Sequence, residues 1–415
     1  MIILCQNISY YYKIMMNLKT PEAFWLLKNG ILESYPSLSN NEYADILIVG
    51  SGITGSLIAH QCVSEGYHTI LVDRLEAAHG STSATTSMLQ YEIDIPLFKL
   101  SEMIGREAAE KCYWHCHHAI DRIQDLCVLL KNKDFKKKKS LYFAAYKKDV
   151  AWLKKEFEAR KMAGFEVKWL ESKEIKQKFN IENTFGGILS QKGASVDAFK
   201  LTHQILKHNV KKGLKVFDKT AIMKTESKKN EIIAYTEYGN TITAKKIIYC
   251  NGYESTEIIP EKFVNLISTY AIVGERNAES LGSLNNILVW NTSQPYIYIR
   301  TTDDNRILIG GEDIPYVNPT KRNRLLTQKA KKLEKQLNKY LPEINFRNDF
   351  SWGGTFGETK DGLPYIGTHP QFKNACFVLG FGGNGITFSA IGMEMVSQFL
   401  KNEEHELAPL FRFGR

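Results

Sequence analysis

The most constraining feature of this 415-residue chain lies between residues 44 and 73. ADILIVG (44–50) is a short apolar, β-branched run, the pattern of a strand buried on both faces of a parallel sheet. ITGSLIAHQCVSEG continues with helical spacing: Ile53, Leu57, Ile58 and Ala59 make an apolar face, and Gly66 closes it as a C-cap. HTILVD then predicts a second strand ending in Asp73, 23 residues after Gly50. This is the complete strand–glycine loop–helix–strand–acid unit of a dinucleotide site. Gly50 permits the tight turn, Gly52 lets backbone approach a pyrophosphate, and Gly55 allows the helix to pack closely. Asp73 stands where a ribose hydroxyl is bound.

GFGGNG (380–385) repeats the glycine spacing between a strand-like ACFVLG and a helix-like ITFSAIGMEMVSQFL. The chain ends about 30 residues later, with no further strand and acid to complete a second unit. One dinucleotide is therefore expected. The six Ser/Thr among the seven residues Ser81–Ser87 directly follow the ribose-binding strand and continue along the same ligand. DAFKLTHQILKHNVKKG (197–213) reads as an amphipathic helix with Asp197 at its N-cap. KIIYCNG ends a later strand at Asn251 and Gly252, so the nucleotide domain is interrupted and resumed.

Other classes of function find little support. The net charge is +9, but the lysines are scattered, and the densest run, Lys136–Lys139, reads as a solvated turn, so no nucleic-acid partner is expected. The seven cysteines form no disulfide framework, which fits a reducing compartment. CYWHCHH (112–118) has no second ligand pair at zinc-like spacing, and no metal is expected. No stretch reaches the ~18–20 apolar residues of a membrane span, and the N-terminus lacks a leader's apolar core. A cytoplasmic protein is the expectation, with Met15 or Met16 as an alternative start.

From about Asp45 to Leu400 the chain resembles the D-amino-acid oxidase family of flavoproteins, which includes glycine and sarcosine oxidases. The resemblance rests on DILIVGSGITG, HGSTSAT, IIYCNG, YIYIRTTDDNRILIGGED, TKDGLPYIG and GFGGNGITFSAIG, in family order. It implies an α/β (α+β) two-domain architecture, a Rossmann-like FAD-binding domain with an interleaved antiparallel-sheet substrate domain. The divisions expected are an N-terminal extension (1–42), an FAD domain (43–94, 193–252 and 351–402), a substrate domain (95–192 and 253–350) and a C-terminal tail (403–415). The FAD contacts it implies are Gly50, Gly52, Ile53, Thr54, Gly55, Asp73, Arg74, Ser81, Thr82, Ser83, Asn251, Gly252, Gly354, Asp361, Gly382, Gly383, Asn384, Gly385, Ile386 and Thr387. The second glycine cluster then serves the flavin end of the same FAD, its helix N-terminus facing the ring.

The implied activity is oxidation of a C–N bond in an amine or amino acid by hydride transfer to FAD, with oxygen or another acceptor restoring it. Tyr296, Tyr298 and Arg300 alternate onto one face of a strand. In the family Tyr and Arg of this sheet meet a substrate carboxylate, so Arg300 and Tyr298 are the candidate clamp. Glu92 is the candidate anchor for a cationic amine. Departures from the sarcosine-oxidase pattern narrow the claim. Gly354 stands in place of a flavin-linking cysteine, which predicts non-covalent FAD. Ser83, Thr86 and Thr387 replace basic residues, and Leu308 or a neighbour replaces the oxygen-activating lysine. Sarcosine is thus not the expected substrate. A hydroxy-acid or glycerol-phosphate-type dehydrogenase and a catalytically silent flavin-binding protein remain the alternatives.

Overall fold

The computed structural model describes residues 16–277, 281–316 and 318–415; the proposed start at Met15 and the remainder of the first 15 residues lie outside them. Two eight-stranded sheets organise the chain. In the first, Glu42–Val49 runs parallel to Thr69–Val72 on one side and to Thr241–Tyr249 on the other. Thr69–Val72 is continued by Lys215–Phe217, also parallel. The C-terminal half of Thr241–Tyr249 pairs in parallel with Phe372–Leu379, while its N-terminal half takes an antiparallel hairpin strand, Ile232–Thr236. The parallel strands are continuous runs of Ile, Leu and Val because helices Ile53–Ser64, Ala198–Val210 and Gly385–Leu400 cover the sheet. Asp197 accepts the Lys200 amide (3.0 Å) and caps the middle helix as expected.

The second sheet is mostly antiparallel and includes Lys139–Phe143, Asn265–Gly274, Ile297–Thr301, Ile307–Pro315 and Asn348–Glu358. Helix Pro319–Tyr340 covers one of its faces through Leu333 and Leu337. The boundary drawn at residue 351 falls inside Asn348–Glu358, which pairs along its length with Asn265–Gly274 and so belongs to this sheet. Its polar and glycine-rich sequence, NDFSWGGTFGE, hid it.

Two further readings change. From Met16 onward the extension is not detached. Leu18 O accepts the Thr355 amide (2.7 Å), Lys19 bridges Gly354, and the fully buried Trp25 donates its indole N–H to Thr85 O (2.6 Å). The lysine run is not wholly solvated either. Lys138 is buried, donating its Nζ to Asn285 O (2.5 Å) and Thr301 Oγ1 (3.0 Å), and burial lowers its pKa to about 7. No helix among the described residues is long and apolar enough to cross a membrane.

Candidate active site

The first glycine loop has the geometry its sequence requires. Gly50 has φ +107°, and a Cβ there would lie 2.5 Å from Cys250 O. A Cβ on Gly55 would overlap Gly50 O, so the helix starts where only glycine fits. Thr82 Oγ1 accepts the Ile53 amide (2.9 Å), giving the helix start a side-chain partner from the hydroxyl loop. Asp73 ends the second strand. Its Oδ2 accepts the Ser51 amide (2.7 Å) and hydroxyl (2.8 Å), and its Oδ1 accepts the Leu75 amide (2.8 Å). Burial raises its pKa while those bonds oppose the shift. Arg74 ion-pairs with Glu254 and donates to Met16 O (3.0 Å).

The second loop repeats the close approach. A Cβ on Gly380 would lie 2.5 Å from Gly385 O. Gly382 and Gly383 lie against the Asp94 carboxylate, whose Oδ2 accepts the Gly383 amide (2.7 Å). Asn384 donates to Gln90 O (2.9 Å), tying this loop to the segment that leaves the hydroxyl loop.

Both loops open onto one cavity of about 1460 Å³. Its nucleotide end is lined by Gly50, Gly52, Asp73, Arg74, Asn251 and Gly252; Ile53, Thr54, Ser81, Thr82 and Gly354 follow, and Gly382, Gly383, Asn384, Gly385 and Ile386 lie at the other glycine loop. Asn251 Oδ1 and Thr355 Oγ1 line this cavity and are buried without a hydrogen-bond partner. A single cavity of this volume, lined by two glycine loops and by buried polar atoms without partners, fits FAD. The same cavity includes a chamber walled by Tyr142, Trp152, Trp290, Tyr296 and Tyr298, with Glu92, Asp94, Asp149 and Glu358 as its acids. Tyr142 and Trp290 stack at 3.6 Å. Asp94 is exposed, but into the cavity, and the loss of hydration there, then the charge of Glu358, push its carboxyl up to about 6.

Several anticipated contacts are absent from the lining. Arg300 is buried and encased in carbonyls, donating to Thr86 O (3.0 Å), Ser87 O (2.7 Å), Val196 O (3.1 Å) and Thr301 O (3.1 Å), with its guanidinium 5.6 Å from the Trp25 ring. Burial lowers its pKa to about 10. It braces the hydroxyl loop and presents no fork to a carboxylate. Tyr296 and Tyr298, in step with Arg300 along the strand, do face the cavity. What parity cannot reveal is that the hydroxyl loop reaches the guanidinium first. Glu92 lines the chamber but also faces Arg160 (3.3 Å), which in turn holds Glu156 (2.5 Å). Ser83 donates to Gly80 O (2.9 Å), Thr387 donates to Gln90 O (3.2 Å), and Asp361 ion-pairs with Arg415 (2.8 Å), so these three serve the frame. Gly55 also acts through packing alone.

Asp94, Trp290 and Trp152 were not singled out from sequence; an acid two residues after Glu92, in step with it along an extended segment, was the available signal for Asp94. In the CYWHCHH segment, Cys112 and Cys116 are buried and their thiols pushed up by burial. His115, Glu394 and His405 do approach within 4.8 Å of one another. The Leu407 amide, however, donates to His405 Nδ1 (3.1 Å), so Nε2 carries the ring proton and faces Glu394 as a donor rather than as a metal ligand.

The family model for FAD dependent oxidoreductases matches residues 45–398. Glycine oxidase of Bacillus subtilis is 23% identical over 374 residues, covering 87% of this chain and 94% of its own. The crystal structure of glycine oxidase from Geobacillus kaustophilus superposes with a TM-score of 0.76 at 19% identity, covering 90% of this chain and 99% of that one. L-proline dehydrogenase from P. horikoshii gives 0.74 at 18% identity, covering 88% and 96%. At these identities the structural likeness speaks for the fold.

Proposed function

This chain belongs to the FAD-dependent oxidoreductase family, and on that premise we propose that it oxidises the C–N bond of an amine or amino acid, passing a hydride to non-covalently held FAD. The observation that carries the reading is the continuity of the cavity, which joins the dinucleotide loop, the second glycine loop and the aromatic chamber in one space. Bound FAD supplies the two-electron acceptor; the protein supplies position, charge and exclusion of water. The N-terminus of helix Gly385–Leu400 opens toward the expected ring position, where its dipole favours negative charge. Gly354 offers no thiol for a covalent link. The Asp94 carboxyl, near pKa 6, is suited to take the proton that an ammonium must lose before hydride leaves the adjacent carbon. The six cysteines among the described residues, all free and buried, support a reducing compartment such as the cytoplasm.

The test is anaerobic mixing of the purified yellow protein with amines, amino acids and hydroxy acids, following flavin absorbance. Bleaching by compounds with a C–H beside nitrogen is expected, and air or an artificial acceptor should restore the colour. Bleaching confined to hydroxy acids, or by no compound at all, would remove the reading.

A further inference from the structure

The aromatic-walled chamber has an uneven charge lining. Glu92, Asp94, Asp149 and Glu358 reach it, whereas the cationic residues along the cavity are Arg74, ion-paired with Glu254 at the nucleotide end, and the exposed Lys148. Asp149 is occupied by the Thr292 hydroxyl. Arg300 is encased in carbonyls, and Arg160 is fully buried and outside the lining.

Behind the chamber wall the buried charges do not balance. Arg160 is the one guanidinium shared by Glu156 and Glu92, so the trio carries an excess negative charge when both acids are ionised. Glu92 pairs its Oε1 with Arg160 and lies beside the Ser190 and Ser140 hydroxyls, yet it lines the chamber while only 4% exposed. A second buried carboxylate sharing one guanidinium is costly to ionise unless a further cation comes close to it. Aromatic faces surround the same space, and Tyr and Trp rings attract ammonium groups.

We propose that the substrate is a cationic alkylamine with no carboxylate beside the reacting carbon, its ammonium held by Glu92 and Asp94 between the aromatic walls. This rests on the C–N oxidation reading above. A substrate carboxylate would face Glu92, Asp94 and Glu358 with no free guanidinium to receive it. Burial raises the Glu92 and Glu358 carboxyls, and the arrival of an ammonium favours their ionised forms.

The experiment uses the FAD-loaded full chain and matched probes: butylamine, N-methylbutylamine and 1,4-diaminobutane against glycine, N-methylglycine, alanine and proline. Anaerobic flavin reduction is expected to favour the simple amines by about 100-fold in kcat/KM, the scale of a like-charge mismatch in a confined site. Glu92→Gln should raise the amine KM about tenfold or more, with FAD content unchanged. Glu358→Gln, an isosteric change at an exposed position, should weaken amine binding in the same direction and bring the amino acids closer to the amines. Reduction by the amino acids equal to or faster than by the amines overturns the proposal while leaving C–N oxidation standing. Unchanged amine KM in both variants also overturns it. Bleaching by hydroxy acids alone removes the underlying reading instead, so the two failures are distinguishable.

Discussion

The hydroxyls of Thr54 and Ser389, 335 positions apart, lie 2.7 Å from each other. Each sits in the first turns of a glycine-led helix, so this contact locks the two helix starts side by side at the rim of one cavity. The two glycine loops thus face one shared cavity.

The glycines should separate by what a methyl group would meet. Gly55→Ala drives Cβ into the Gly50 carbonyl, which cannot retreat without opening the turn, and should cost about 3 kcal/mol of stability. Gly52→Ala meets only the Thr82 side chain, 2.9 Å away, so it should cost about 1 kcal/mol in the apoprotein while weakening FAD binding far more. Thermal melts and flavin titration of both variants check this. Equal stability losses would mean that the first loop is not built as described.

Gly354 has open space, its nearest neighbours being Leu18 O at 3.8 Å and the Ala84 Cβ at 4.0 Å. Acid precipitation of the wild-type protein should release its flavin to the supernatant. Yellow colour retained in the pellet would refute non-covalent binding.

Asp73 supports the loop itself, since three hydrogen bonds from Ser51 and Leu75 converge on it. Asp73→Ala should therefore weaken FAD binding by about 1–3 kcal/mol and lower the melting temperature of the flavin-free protein too. A variant with wild-type FAD affinity would exclude the ribose role.

Arg300→Ala leaves the carbonyls of Thr86, Ser87 and Val196 without their shared donor, at a cost of about 3 kcal/mol. Loss of FAD retention should accompany it, because the hydroxyl loop loses its brace. Catalytic losses should be the same for substrates with and without a carboxylate. A selective loss for carboxylate-bearing substrates would restore the clamp.

Asp218 gives a pH signature. It is buried, and burial followed by the charges of Asp73 and Glu76 pushes its carboxyl up to about 7 against the opposing hydrogen bonds from the Tyr35 and Ala77 amides. In the unfolded chain it titrates near 4. Between those values the folded state holds the extra proton, so stability falls as pH rises from about 4 to 7, by about 1–3 kcal/mol. Denaturant unfolding of wild type and Asp218→Asn across that range should give converging curves at low pH and a flatter profile for the variant. Parallel profiles would show that Asp218 does not carry the effect.

The sequence alone determined the parallel sheet and its glycine loops, because these depend largely on local conformation. Gly55 is demanded by the Gly50 carbonyl five residues before it and Gly50 by its own positive φ, and unbroken runs of Ile, Leu and Val mark the buried strands. Asp197 as an N-cap is local in the same way. Partner choice was not local. Arg300 was placed on the correct strand face, but whether its guanidinium meets substrate or Ser87 O depends on a loop 213 residues away. Glu92 finds Arg160 across 68 residues, and Asp94 finds Gly383 across 289. Trp25 is buried only because strand Asn348–Glu358 and the hydroxyl loop close over it. Charge and hydrogen-bonding capacity are written in the residue, but what satisfies them is decided by which distant segment arrives within 3 Å, and only the tertiary structure settles that.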